Sequence, residues 1–203
     1  MPSSVPPVVR PGSLSSSTQP SLEGEGIVLR PWRLTDVGVV RMALADERIQ
    51  RWNLLAGSSD ADAYAWIRGW EECWRREAGV GWAALRPDGV PVGYVSLQHL
   101  HLAGGTARCS FWVLPEHRGH GWATHALGTA ARWAFDVVGL YRLALAHSVA
   151  NPASCRTASK AGFAAEGIRR SAVLHLDGWH DMHEHARVKE DPPGDCDNPA
   201  DAF

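Results

Sequence analysis

A chain of 203 residues, 45% of them apolar, can bury a substantial core and is most simply read as one domain. Its net charge of −2 shows no basic surplus, and no apolar stretch approaches the ~20 residues that span a bilayer, so neither nucleic acid nor a membrane is expected as a partner. The four cysteines, Cys73, Cys109, Cys155 and Cys196, form no close pair and no metal-type spacing, which points to reduced thiols and a cytoplasmic protein.

Residues 1–24 are rich in serine and proline, lack the unbroken apolar run of a signal peptide, and read as a disordered tail. The folded domain is expected over 25–190. Its first strand is Ile27–Arg30, ended by Pro31, and a helix capped by Thr35 or Asp36 runs to about Ala45. A second helix over Ala61–Arg76 carries Trp66, Trp70 and Trp74 at i, i+4 and i+8, along one face. Core packing is the favoured use of that face, and an aromatic wall for a substrate is the other.

Strands over Gly81–Arg86 and Pro91–Gln98 flank the turn Pro87-Asp88-Gly89. Ala107–Leu114 is the fourth strand, Trp122–Val138 a long helix, and Arg142–Ser148 the fifth strand. A short helix starts at Asn151 and Pro152 and ends at Gly162, and two closing strands flank Asp177-Gly178. The stretch 191–203 is acidic, proline-rich and expected to be a second disordered tail. The order describes a mixed α/β domain with an antiparallel first half and a helical crossover after the fourth strand.

Between that strand and the long helix stands PEHRGHGWAT, Pro115–Thr124. A helix N-terminus offers unpaired N–H groups and a positive dipole end, both suited to phosphate. Gly119 and Gly121 would let the backbone approach an anion, and Arg118 and His120 add side-chain donors. A turn chosen for its shape alone is the competing reading. Two phosphate loops are excluded: Gly121 is followed by Trp122 rather than by Lys-Ser/Thr, and Thr124 stands where a dinucleotide fingerprint needs its third glycine.

Arg118-Gly-His-Gly121-Trp-Ala123 matches the Arg/Gln-x-x-Gly-x-Gly/Ala loop of the GCN5-related N-acetyltransferases at every fixed position. Downstream, Asn151-Pro-Ala-Ser154-Cys-Arg-Thr-Ala-Ser-Lys160-Ala-Gly162-Phe163-Ala-Ala-Glu166-Gly167 resembles a run of the RimJ/RimL-like branch, which acetylates protein N-termini. Phe111-Trp112-Val113 and Asp177-Gly-Trp-His-Asp181 are similar to that branch as well, so the resemblance covers the whole expected domain.

The resemblance implies a mostly antiparallel sheet flanked by helices, with acetyl-CoA as cosubstrate in a cleft where the fourth and fifth strands splay. Its pyrophosphate would meet the turn Arg118, Gly119, His120, Gly121, Trp122, Ala123 and Thr124, and its pantetheine arm the backbone at Trp112, Val113 and Leu114. The Val113 N–H would hold the developing oxyanion, a role worth roughly 3 kcal/mol. The amine attacks directly, so no enzyme nucleophile is needed. Ser154 occupies the position from which RimL-like enzymes protonate the CoA sulfur, and it equally suits a helix first turn. Asn151 would either contact the cofactor or cap its helix. The tyrosine acid of other branches is absent, because Ala158 stands there.

The base departs from the family pattern. Arg108 and Val173 occupy the positions where relatives carry a glutamate. His175 shares a strand face with Val173 and an imidazole suits a base near neutral pH, with His99, His101 and His147 as rivals and a water chain or a neutral amine as alternatives. His183 and His185 share one face of their strand, but no third ligand is evident and no metal is expected. Cys155 reads as a small packing residue. The expected acceptor is a primary amine, first the α-amine of a protein or peptide and second a small-molecule amine such as an aminoglycoside or polyamine. A non-catalytic acyl-CoA-binding module is the rival class. Assembly is expected to be monomeric or homodimeric, with a slight lean to the homodimer.

Overall fold

A computed structural model describes residues 5–53 and 57–194. Eight strands form one sheet: β1 (Leu22–Gly24), β2 (Ile27–Pro31), β3 (Gly79–Leu85), β4 (Pro91–His101), β5 (Thr106–Val113), β6 (Arg142–Ser148), β7 (Ala164–His175) and β8 (Gly178–Val188). The helices are α1 (Val37–Ala45), α2 (Glu47–Asn53), α3 (Asp60–Arg75), α4 (Trp122–Trp133) and α5 (Pro152–Lys160). The spatial order is β1-β2-β3-β4-β5-β6-β8-β7, with β5 and β6 parallel and every other neighbour pair antiparallel. This is the mixed, mostly antiparallel α/β architecture expected. The expected fourth and fifth strands are β5 and β6, because β1 was not foreseen.

Alternation along the strands builds two cores. Val80, Trp82 and Ala84 of β3 face one layer, where α4 and α5 supply Leu127, Ala130, Ala131 and Ala158. Ala83 and Leu85 face the other, with Val40, Leu44 and Ile67 from α1 and α3. The three tryptophans of α3 divide between these layers. Trp66 and Trp70 pack with Trp32, Tyr94 and Trp112, whereas Trp74 lies 6.4 Å from Trp133 in the other core. Trp74 is buried, and Trp66 and Trp70 are half-buried against the second core.

Three elements differ from the sequence reading. The helix after the turn gives way at Ala134–Val138 to a π-helical turn that ends at Gly139, φ 84°. Helix α2 is new, yet it had a local signal: Asp46 Oδ1 accepts the Ile49 N–H at 2.8 Å, an N-cap with Glu47 in the first turn. The third is the N-terminal segment, expected to be disordered, whose described part lies against the domain. The Glu77 carboxylate accepts the backbone N–H groups of Gly12, Leu14 and Ser15 at 2.6, 2.7 and 3.0 Å. Trp74 Nε1 and Trp82 Nε1 donate to the carbonyls of Ser17 and Pro20 at 2.9 Å, and Val9 and Leu14 are buried in the first core. Composition misses this because all the partners lie more than fifty residues downstream. Of the expected C-terminal tail, 195–203 lie outside the described residues, and Asp191 caps the end of β8 by accepting the Val188 N–H.

Candidate active site

The site begins where the parallel pair fails. Strands β5 and β6 pair only from Thr106↔Arg142 to Cys109↔Leu145 and then diverge. On its other side β5 continues to pair with β4, and the Leu114 N–H donates to the Val92 carbonyl at 2.9 Å. Antiparallel pairs alternate between bonded and non-bonded, so Gly93↔Val113 and Val95↔Phe111 are non-bonded pairs. The N–H groups of Phe111 and Val113 therefore face the gap left by β6. The gap opens into a cleft of about 740 Å³, lined by both strands, the Arg118–Thr124 turn and the start of α5.

Of the residues expected to hold the pantetheine arm, Trp112 and Val113 line this cleft and Leu114 does not. Leu114 is buried in the second core and its N–H is spent on Val92, because it lies one pleat beyond the diverging segment. The Trp112 ring also points into that core, stacked 5.5 Å from Tyr94, and in the same register its N–H and carbonyl face β4 rather than the cleft.

The turn leaves backbone donors open at the start of α4. Gly119 and Gly121 sit at φ 84° and 77°, a region open cheaply only to glycine. The first intrahelical bond of α4 runs from His125 N–H to Gly121 O at 3.1 Å, leaving the N–H groups of Trp122, Ala123 and Thr124 ahead of the ladder. Arg118 is used differently from the sequence reading. Its Nε donates to the Val113 carbonyl at 3.1 Å and a terminal nitrogen to Asp46 at 3.2 Å, so it braces the turn against β5 and α2. His120 is exposed and absent from the cleft lining, with Nδ1 3.4 Å from the His117 carbonyl, because the glycines on either side turn it outward.

At the other wall, Ser154 lines the cleft from the first turn of α5, while Asn151 Oδ1 accepts the Ser154 N–H at 3.2 Å. Asn151 is thus the N-cap of α5. His175 is buried and lines the cleft, with Nδ1 2.8 Å from the Arg51 carbonyl. A carbonyl only accepts, so Nδ1 carries the proton and Nε2 keeps its lone pair, buried without a hydrogen-bond partner. Trp52 edges both His175 and His180 at 6.1 Å, so α2 positions this corner.

Sequence reasoning missed a hydrogen-bond chain beside it. Ser148 Oγ lies 2.7 Å from His180 Nδ1, and His180 Nε2 lies 2.8 Å from Asp177 Oδ1. Asp177-Gly178 signalled the hairpin and part of the family resemblance but no proton path, and its proximity to β6 follows from the β6–β8 pairing. The rival base His147 has Nδ1 2.8 Å from the Ser148 carbonyl and Nε2 3.1 Å from His185 Nε2. Burial first, then neighbouring imidazoles, push His147 and His185 below the usual histidine range. His99 lines the cleft and His101 does not. Arg108, in the place of the missing glutamate, pairs with Glu184 at 3.8 Å.

A model of the acetyltransferase (GNAT) domain matches residues 27–164. YdaF of Bacillus subtilis (strain 168), named as a candidate ribosomal N-acetyltransferase, is 29% identical over 73% of this chain and 82% of its own length. Among solved structures, RimJ of Mycobacterium smegmatis, in complex with CoA-disulfide, is 23% identical, covers 87% of this chain and 90% of its own, and has a TM-score of 0.78. RimL, a ribosomal α-N-protein acetyltransferase in complex with coenzyme A, is 16% identical, covers 83% of this chain and 98% of its own, and has a TM-score of 0.76.

Proposed function

We propose, since this chain belongs to the GNAT acetyltransferase family and is an N-acetyltransferase, that it moves the acetyl group of acetyl-CoA to the α-amine of a protein or peptide. One observation carries the choice of acceptor. The cleft is lined by Arg48, Arg108, Arg118, Arg156 and Lys160, of which Arg108 and Arg118 are paired with Glu184 and Asp46, and among the described residues no aspartate or glutamate lines it. A polycationic amine such as a polyamine or aminoglycoside would be repelled there, whereas a peptide amine flanked by acidic side chains would be drawn in. An α-amine, with its pKa near ~8, also demands less of a base than a lysine at about 10.4. The names of YdaF and RimL point to ribosomal protein acceptors as well.

The cosubstrate supplies the thioester, and the chain supplies orientation and proton handling. The α4 N-terminus and the Gly119–Gly121 turn would hold its phosphates, and the Phe111 and Val113 N–H groups its pantetheine arm. The Val113 N–H would donate to the thioester oxygen as negative charge develops there, while the Ser154 hydroxyl gives its proton to the departing sulfur. His175 Nε2, the buried lone pair without a partner, takes the proton from the amine. The Ser148–His180–Asp177 chain offers a second proton path, favoured by its continuous hydrogen bonds.

Thiol release from acetyl-CoA over a panel of peptides, polyamines and aminoglycosides tests this. Turnover is expected with peptides bearing a free α-amine and acidic neighbours, and to be absent with their N-terminally blocked forms. Turnover only on polyamines or aminoglycosides overturns the acceptor. CoA binding with no turnover on any amine makes the chain a binding module. Among the described residues Cys73, Cys109 and Cys155 are free thiols, which fits a cytoplasmic setting, and no helix is long and apolar enough to cross a membrane.

A further inference from the structure

We propose that His147, Cys155, His183 and His185 bind one divalent transition-metal ion of the zinc type, which pins helix α5 to strands β6 and β8. His147 opposes His183 in the β6–β8 ladder, and His185, two residues on, projects from the same face. Cys155, in the first turn of α5, lies over that face with Sγ 3.7 Å from His183 Nδ1 and 3.8 Å from His185 Nε2. His147 Nε2 and His185 Nε2 are 3.1 Å apart, and all four ligand atoms lie within 4.8 Å of one another. A tetrahedral zinc ion, with bonds of about 2.0–2.1 Å to nitrogen and 2.3 Å to sulfur, sets its ligand nitrogens about 3.4 Å apart and nitrogen from sulfur about 3.6 Å. The observed nitrogen–nitrogen contact is slightly shorter than the tetrahedral value and the nitrogen–sulfur contacts slightly longer.

The surrounding hydrogen bonds assign the lone pairs. His147 Nδ1 lies 2.8 Å from the Ser148 carbonyl, and His185 Nδ1 lies 3.2 Å from the Phe163 carbonyl. Each Nδ1 must therefore donate, which leaves two Nε2 lone pairs facing each other across the short gap. Two acceptors so close repel unless positive charge lies between them. Metal-bound histidines ordinarily donate their other N–H to a carbonyl or carboxylate, which fixes the ligating tautomer, and that arrangement occurs here twice. His147 and His185 are only 6% and 1% exposed, so solvent does little to screen the repulsion. One thiolate with three imidazoles suits zinc, and four protein ligands close the coordination sphere. The ion is structural, with no open position for substrate. It sits next to Ser154, so on the reading given above it also fixes the group that protonates sulfur.

The sequence conceals this site because its ligands come from three separate elements, and only His183 and His185 are close in the chain. The test uses the full chain without a polyhistidine tag, stripped by chelator and titrated with Co2+ and then Zn2+. The expected result is one Co2+ per chain, visible absorption of tetrahedral form, a thiolate charge-transfer band in the near ultraviolet, and displacement by Zn2+ with a rise in Tm. Cys155→Ser should lose the charge-transfer band, His185→Ala should lose stoichiometric uptake, and His125→Ala should change neither. Failure of the wild-type chain to take up Co2+, uptake without the thiolate band, or a band that persists in Cys155→Ser overturns the site. These readouts on the wild-type chain stand even where a variant fails to fold. They need neither acetyl-CoA nor an acceptor, so their failure leaves the proposed activity untouched.

Discussion

Asp36 shows how much a single buried carboxylate can carry in this molecule. It accepts from two nitrogens of Arg30 at 2.7 and 2.8 Å and from the Arg33 N–H at 2.8 Å. Burial alone would raise its pKa, but those hydrogen bonds and the Arg30 charge outweigh burial and hold it below the usual carboxylate range. A depressed folded-state pKa contributes stability above the unfolded value near ~3.9, and that stability is lost as pH falls through the folded value. Asp36→Asn is therefore expected to cost about 3 kcal/mol at neutral pH, since it strands Arg30. The gap to wild type should narrow in acid below about pH 4, and urea unfolding at both pH values checks it. The same scale decides the proton path. His175→Ala is expected to lower kcat/KM about a hundredfold or more and to flatten the acid limb of its pH profile, because a base must be unprotonated to act. If His180→Ala does so and His175→Ala does not, the Ser148–His180–Asp177 chain is the route.

At the scale of elements, the turn before α4 separates ligand effects from folding effects. A Cβ built on Gly119 meets no atom of the protein within 4 Å. Gly119→Ala should thus cost the fold only the positive-φ penalty of about 1–2 kcal/mol. A rise in the Kd for CoA of about tenfold or more, read by calorimetry, would report a clash with the ligand rather than a damaged domain. Undiminished affinity would place the phosphates elsewhere. This turn and the strands around it were legible because glycines between a strand-period run and a helix-period run constrain the backbone locally. Leu114 and His120 were not correctly placed, since which way a residue faces depends on a register set by the partner strand. Helix α2 was readable in principle from Asp46 and Glu47, but seven residues carry little periodicity. His180 and the Cys155 cluster were not recognised as sites: His183 and His185 were seen to share a strand face, but their partners on β6 and α5 reach them only through the fold.

For the molecule as a whole, the clasp at Glu77 ties the N-terminal segment to the sheet. Glu77 holds φ 52°, a strained value for a side-chain-bearing residue, while its carboxylate gathers three backbone donors. Glu77→Ala is expected to lower stability by about 1–2 kcal/mol, discounted for the exposure of the carboxylate. Limited proteolysis should then cleave within the first twenty residues sooner than in wild type. Equal cleavage rates would mean that the Trp74 and Trp82 bonds and the buried Val9 and Leu14 hold the segment without Glu77.

The divergence of β5 from β6 also bears on solubility. Half of β5 presents unpaired backbone groups on one side, the kind of bare strand margin to which a foreign chain can add itself. Most proteins blunt such margins with charge or proline at the rim of the sheet. Here the margin lies between sheet neighbours, walled by the glycine turn and by α5, so a slender thread can enter where a second sheet cannot.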